Sequence, residues 1–423
     1  MKHGSANRGV YTTALILPMG MALQFAMHFL LARVLGVEEF GKFSFLFQVA
    51  AISALVLCCG LPMSMQKFIP KFQSLNSHSK LVLYKFWSFG YLGLLSFLLV
   101  SISLSDVGDA EVYSRGIYIR ELSLVIIAYL TWMWQRYWCL GYERFGLALL
   151  PRDIVLPVFV CALVLVLDIA NYQKVVLTYS AILIVLSILA LLRLSLDSKK
   201  AVKKYTKIKL KEAKTVIIEW HVRSLPMGVS AFMQLGMNSW DIILVGILVG
   251  MEEAGEYSLA LKVALMMSIV SRVVNVSLSS KISSLYETGQ TDKLKYVVRR
   301  AMLLAGLMGF ALFLVLVVIG ENFLLLVGED YANAYKVLIA LSFSQLVLCI
   351  TSPVYSFLNM TEGQLVLATT FFRWMCIAVI ANYFLLQMYS ITVAACVTAA
   401  ATILMRIEQF YEFRKLVRAL DDG

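Results

Sequence analysis

The sequence predicts an all-α polytopic membrane protein, with about twelve transmembrane helices in two six-helix lobes. Three observations carry that prediction. The 423-residue chain is 60% hydrophobic and 15% charged, with a mean hydropathy of +0.81, whereas soluble domains carry about a quarter charged residues. It also repeats itself. LGVEEFGKFS at 35–44 returns as VGMEEAGEYS at 249–258, so that Gly36 pairs with Gly250, Gly41 with Gly255 and Ser44 with Ser258. Finally, its loops alternate in charge. A strongly apolar chain duplicated over about half its length has the pattern of a transporter built from two related bundles.

A span needs about 20 apolar residues to cross about 30 Å of hydrocarbon. The first half offers candidates at 10–32, 43–65, 81–104, 122–140, 145–167 and 175–192. The second half offers 225–249, 257–278, 301–319, 334–358, 365–386 and 391–405. Carrying the repeat offset along the chain brings the third span beside the ninth and the sixth beside the twelfth. The whole six-span unit is therefore duplicated. The expected organisation is an N-lobe at 1–195, a basic linker at 196–219 and a C-lobe at 220–423. The first apolar run is span-length and lacks a small-residue cleavage site, so it is expected to be retained.

Orientation follows from the basic residues. Lys2 and Arg8 precede the first span, and Lys67, Lys71 and Lys80 follow the second. The linker holds eight lysines between Lys199 and Lys214, while Lys281, Lys293, Lys295, Arg299 and Arg300 follow the eighth span. The opposite loops carry Glu38, Glu39, Asp106, Asp109, Glu252, Glu253, Glu329 and Asp330. By the positive-inside rule both termini and the linker are cytoplasmic. With an even number of spans per repeat, the halves are parallel repeats about an axis along the membrane normal. The linker then has two readings: a solvated tether brushing anionic lipid headgroups, or a gathering site for an anionic cargo. The net charge of +11 is concentrated in these loops, and no nucleic-acid partner is expected.

Several motifs are set aside. GVEEFGK has the glycine and lysine spacing of a phosphate-binding loop, but Phe43 stands where a Mg²⁺-binding hydroxyl is needed, and the copy puts Glu256 in place of the lysine. The seven cysteines fall in apolar stretches without a C-x-x-C, which reads as helix packing and not as disulfides or metal sites. There is no metal cluster, nucleophile–base pair or large loop carrying catalytic residues, so an enzyme is not expected.

An ionised side chain at mid-span costs about 2.5–3.5 kcal/mol, so such residues should face a cavity or a partner. In the seventh span Arg223, Ser230, Gln234, Asn238 and Asp241 share one face of a straight helix. The first span has a weaker stripe of Thr13, Gly20, Gln24 and His28, with Gln24 at the repeat position of Asn238. Ser44 and Gln48 likewise correspond to Ser258 and Lys262, and Arg272 lies further along the eighth span about 80° around from Lys262. Two readings fit. The polar side chains line a wet cleft between the lobes, or they hydrogen-bond neighbouring helices in a dry bundle. Arg136 sits among Trp132, Trp134 and Trp138, which suits either cation–π packing or a cavity; Arg152–Asp153 and Arg373 lie in the fifth and eleventh spans.

The stretches LARVLGVEEFGKFS and GLPMSMQKFIPKF resemble the amino-terminal pattern of bacterial polysaccharide flippases, of the O-antigen type. WDIILVGILVGMEEAGEYSLALKVA and KISSLYETGQTDKL resemble the opening of their second half. The chain is therefore similar to the multidrug/oligosaccharidyl-lipid/polysaccharide exporters, whose fold is MATE-like. One departure is SLSSKISSLY, where relatives often carry a proline near the end of the eighth span. The resemblance implies movement of undecaprenyl-diphosphate-linked oligosaccharide between leaflets of the bacterial inner membrane, with a polysaccharide polymerase and a chain-length regulator as partners. On that basis Arg223, Lys262 and Arg272 are expected to attract the diphosphate, and Gln24, His28, Gln48, Gln234 and Asn238 to line the sugar route. Asp241 is expected to bind a coupling Na⁺ or H⁺, or else to pair with a nearby Lys or Arg. No other cofactor is expected. The alternative is a multidrug or cation antiporter on the same scaffold.

Overall fold

The computed structural model describes residues 3–75, 77–112, 116–198, 210–361 and 363–422, and those residues are almost entirely helical. Most of the expected linker lysines lie outside them. Fifteen α-helices follow in order. They are α1 (His3–Leu35), α2 (Val37–Leu57), α3 (Leu61–Ser74), α4 (His78–Leu104), α5 (Ile119–Gly141), α6 (Phe145–Leu150), α7 (Leu156–Val166) and α8 (Tyr172–Ser198), then α9 (Leu210–Leu248), α10 (Met251–Leu265), α11 (Ser268–Glu287), α12 (Thr291–Val327), α13 (Ala334–Met360), α14 (Gln364–Leu385) and α15 (Ile391–Asp422). A π-helical turn, Pro151–Val155, joins α6 to α7.

Ten helices among the described residues are long and apolar enough to cross a membrane, and α9, broken between Val216–Gly236 and Ser239–Leu248, makes an eleventh. The chain is thus a multi-pass membrane protein. The remaining expected span, 122–140, is present as α5, but Trp132, Trp134, Gln135 and Arg136 lower its hydropathy.

The duplication is visible in the packing. α5 packs on α3, α4 and α8, while α13 packs on α10, α11, α12 and α15. Ile119 and Ala334, which open α5 and α13, stand at corresponding positions of the two repeats to within a residue, so each half is built around the same helix. The peripheral helices correspond too: the apolar windows of α4 and α12 are each only 11% buried, against 61% for α13. Lipid-facing helices can be apolar all round because no water penalises them.

Two compact units emerge. One comprises Met1–Met27 and Phe45–Leu235, and the other His28–Ser44 and Gly236–Gly423. The second unit therefore holds the turn between α1 and α2. Gly36 adopts φ 78° there, a left-handed conformation that only glycine takes at low cost. Its repeat partner Gly250 is extended, with φ 178°. The glycines one turn on meet each other. A Cβ at Gly41 would overlap the Met251 carbonyl, and one at Gly255 would overlap the Val37 carbonyl. Glycine at both positions lets α2 and α10 cross backbone to backbone. Within the first unit Gly60 (φ 74°) meets Gly228 of α9 in the same way.

The eighth span, continuous over Met251–Asn275 and without the proline, carries a tight turn. Met266 and Met267 donate to Val263 and Ala264, three residues back, at 3.1 Å each, which tightens the turn and separates α10 from α11. Lys262 and Arg272 lie on either side of that turn, within the same candidate span.

Candidate functional site

Among the described residues each unit contains one buried aspartate with long-range partners. In the second unit Asp241, on the last stretch of α9, is 5% exposed. Tyr257 of α10 donates its hydroxyl to Oδ2 at 2.9 Å. Thr398 of α15 donates to Oδ1 at 2.9 Å, and Asn382 of α14 donates its amide to Oδ1 at 3.0 Å. Asn382 also donates to the Thr398 hydroxyl at 3.0 Å. Four helices thus converge on one carboxylate, and among the described residues none of its partners is a cation. The Lys or Arg weighed as its structural partner is absent from this set.

Neutral donors satisfy the lone pairs of a carboxylate but do not cancel its charge, and an uncompensated buried charge is expensive. A proton on Asp241 or a metal cation beside it removes that cost. The Asn382 Oδ1 atom is buried and has no donor among the described residues. With the Asp241 carboxylate and the Thr398 hydroxyl, it supplies the oxygen ligands that a hard cation requires. The residues present therefore fit Na⁺ as well as H⁺.

In the first unit Asp153 lies in the π-helical turn and is 7% exposed. Pro151 opens that turn and brings no N–H to the ladder, which favours the irregular winding. Gln24 of α1 donates to Asp153 Oδ1 at 3.2 Å, and the Arg136 guanidinium of α5 lies 3.8 Å from Oδ2. Gly20 permits the approach of α1, because a Cβ there would lie 2.8 Å from that of Asp153. Arg152 turns the other way. Its guanidinium sits 4.0 Å from the Trp132 ring centre and 5.9 Å from that of Tyr129, within hydrogen-bonding reach of Tyr179. Arg136 lies 5.5 Å from the same indole. Two guanidinium groups therefore share Trp132.

The remaining expected site residues are distributed as follows. In the first unit Gln48 is partly buried, Gln234 is exposed, and Arg223 is exposed and pairs with Glu219 one turn earlier at 2.7 Å. In the second unit His28 meets the Phe43 ring edge-on at 6.4 Å, Lys262 is partly buried at the end of α10, and Arg272 is exposed on α11. The Asn238 side chain lies outside what the structure describes. The stripe expected along the seventh span presumes a straight helix, and the break in α9 divides it between Gln234 and Asp241. The repeated hydroxyls of Ser44 and Ser258 are both buried and both without a hydrogen-bond partner among the described residues. Arg373 pairs with Glu408, which also accepts from Trp374 Nε1 at 2.8 Å.

Tyr257, Asn382 and Thr398 escaped the sequence reading. Asn382 and Thr398 stand 141 and 157 residues from Asp241, and each is a lone polar residue in an apolar run. Arg406, 9% exposed, also escaped notice. It donates to Gln409 at 2.7 Å and stands over Tyr355 and Phe371.

The MatE family model matches residues 226–384. No protein of curated function matches the chain by sequence. The fold is similar to that of the inward-facing conformation of a multidrug resistance MATE family transporter of the MOP superfamily, with a TM-score of 0.68 and 14% identity over 97% of this chain and 99% of that one. It is also similar to a eukaryotic MATE transporter, with a TM-score of 0.56 and 12% identity over 97% of each chain. A MOP superfamily transporter from Pyrococcus furiosus, described as having a binding pocket of reverse polarity, gives a TM-score of 0.53 and 14% identity over 98% of this chain and 96% of that one. The chain has a MATE-like fold.

Proposed function

We propose that this chain is a secondary transporter of the MATE type, set in the bacterial inner membrane with both termini cytoplasmic, which exports an organic solute by alternating access driven by a cation. One observation carries the reading: in a MATE-like fold, Asp241 is buried among neutral donors and beside the orphaned Asn382 oxygen. Asp241, Asn382 and Thr398 would hold the coupling Na⁺ or H⁺. Ion binding cancels a buried charge, so it shifts the balance between states in which the carboxylate is covered or open. The comparisons support export of drug-like organic solutes, since a similar structure is that of a multidrug resistance transporter. The test is uptake of a fluorescent organic cation into proteoliposomes under an imposed Na⁺ or proton gradient. Gradient-dependent uptake by the wild type that vanishes in Asp241→Asn supports the proposal; uptake that ignores both gradients and the substitution refutes it.

A second reading has its own support. Arg136 and Arg152 both lie over Trp132, and the one aspartate beside them, Asp153, pairs with Arg136 alone, a balance that suits an anionic cargo better than an organic cation. Together with the motif resemblance, this favours transfer of undecaprenyl-diphosphate-linked oligosaccharide for O-antigen, capsule or related surface polysaccharide, in company with a polymerase and a chain-length regulator. A deletion strain separates the two. Lipid-linked oligosaccharide trapped on the inner leaflet marks the flippase, and drug hypersensitivity with normal surface glycan marks the exporter.

A further inference from the structure

The first unit carries a groove for which the transport reading has no use. α4 and α8 each pack on α5, and near one end of the three helices they enclose an open cavity of about 220 Å³. Its lining includes Lys85 and Phe89 of α4, Trp138 and Tyr142 at the end of α5, and Ile188 and Ser195 of α8. The floor is aromatic: Phe89 meets Trp138 edge-on at 5.2 Å, and Trp138 meets Tyr142 at 5.6 Å. The lining is also graded along the helix axes. Lys85 lies one turn from Phe89 toward the start of α4, and Tyr142 one turn from Trp138 past the end of α5. Ser195 lies two turns from Ile188 toward the end of α8. All three helices therefore bring a polar group to one mouth and an apolar group to the interior. Ile188 is 45% exposed, so the interior opens sideways, where a spanning helix meets lipid. Arg144 and Arg193 neighbour the mouth in sequence, but so do Glu143 and Asp197. Lys85 is exposed and makes no ion pair among the described residues, which leaves it as the uncompensated charge.

We propose that this groove holds one anionic phospholipid of the surrounding membrane, with its phosphate at Lys85 and the Tyr142 hydroxyl and one acyl chain along Trp138 and Ile188. The order of the lining, from cation and hydroxyl to aromatic ring to aliphatic side chain, is the order of phosphate, glycerol and chain in such a lipid. Trp and Tyr hold the interfacial level of a bilayer because an apolar body and a polar tip are both satisfied there. A lysine reaches the same level by extending its stem along apolar surface, and it attracts anionic headgroups. The cavity accepts part of one lipid, and the second chain stays in the bilayer. The occupant is thus a component of the solvent and not the cargo; none of the six residues takes part in the Asp153 or Asp241 clusters. With both termini cytoplasmic the mouth lies in the cytoplasmic leaflet. Only that assignment of leaflet, and not the groove, rests on the orientation proposed above.

The test is lipid binding, read without transport. Purified full-length protein in detergent is titrated with phosphatidylglycerol or phosphatidylcholine carrying brominated chains, and quenching of tryptophan fluorescence is followed. Native mass spectrometry reads the lipid retained, and thermal unfolding reads the stabilisation that binding to the folded state brings. The wild type is expected to bind phosphatidylglycerol about fivefold more tightly than phosphatidylcholine, the effect of one lysine at an anionic surface. Lys85→Ala should erase that preference. Lys80→Ala removes an exposed lysine from the same helix but outside the groove, and should keep it. Trp138→Phe should lose most of the quenching that separates the two lipids while still retaining phosphatidylglycerol in the mass spectrum. Lys85 is exposed, so its substitution leaves the fold intact, and the lysine pair decides alone if Trp138→Phe is not monodisperse. A general attraction of basic loops to anionic lipid predicts equal effects at Lys80 and Lys85. No preference in the wild type, equal preference in the two lysine variants, or quenching unchanged by Trp138→Phe overturns the proposal. Ion-driven uptake dependent on Asp241 stands or falls separately.

Discussion

Asp153 and Asp241 are both buried carboxylates tied to distant helices, yet their surroundings balance the charge in opposite ways. Around Asp153 the compensation is covalently attached: Arg136 stands 3.8 Å away and a second guanidinium lies on the same indole. Around Asp241 there are only a phenol, a hydroxyl and an amide. The first acid needs nothing from solution. The second is satisfied geometrically but not electrically, which is why the proposed function gives it a proton or a cation from solution. Fold alone does not distinguish them; the residues one helix away do.

The largest test of this contrast is Asp241→Asn. It should reduce ion-driven uptake to background while leaving the amount of membrane protein unchanged, because the substitution preserves shape and removes the charge. Uptake that persists would erase the difference between the two acids. Asp153→Asn comes next, with the opposite character. It should lower the melting temperature, corresponding to a loss of about 1–3 kcal/mol, since it strands a guanidinium that had a partner. Asn382→Ala should weaken the coupling ion about tenfold, seen as a shift in the Na⁺ or H⁺ dependence of uptake, since it removes one oxygen and one donor. The smallest change is expected from Gln24→Leu. It deletes a single 3.2 Å hydrogen bond while Arg136 remains, and should cost about 1 kcal/mol in thermal unfolding with no change in coupling.

Asp241 was legible from the sequence because an acid within an apolar run demands an explanation whatever the fold. The duplicated motif was legible too, and it foretold the repeat seen in the hub helices α5 and α13. What could not be read was company. Asn382 and Thr398 look like ordinary helix-packing residues until the bundle brings them to one carboxylate. Arg223 shows the converse: the stripe through it presumes a straight α9, whereas the helix bends after Gly236 and Arg223 pairs with Glu219 at the surface. Helical periodicity describes one cylinder at a time, and it fails where a helix is interrupted or where partners come from several helices.

The crossing of α2 and α10 has a consequence of its own. Gly41 approaches the Met251 carbonyl and Gly255 approaches the Val37 carbonyl, and Val37 and Met251 are themselves counterparts in the duplication. The contact therefore maps onto itself when the halves are exchanged, which is the defining property of an isologous dimer interface. A single unduplicated half would already carry both sides of it. Fusion of two such halves would turn an association governed by concentration into one held within a single polypeptide, and would free every position outside the shared crossing to diverge.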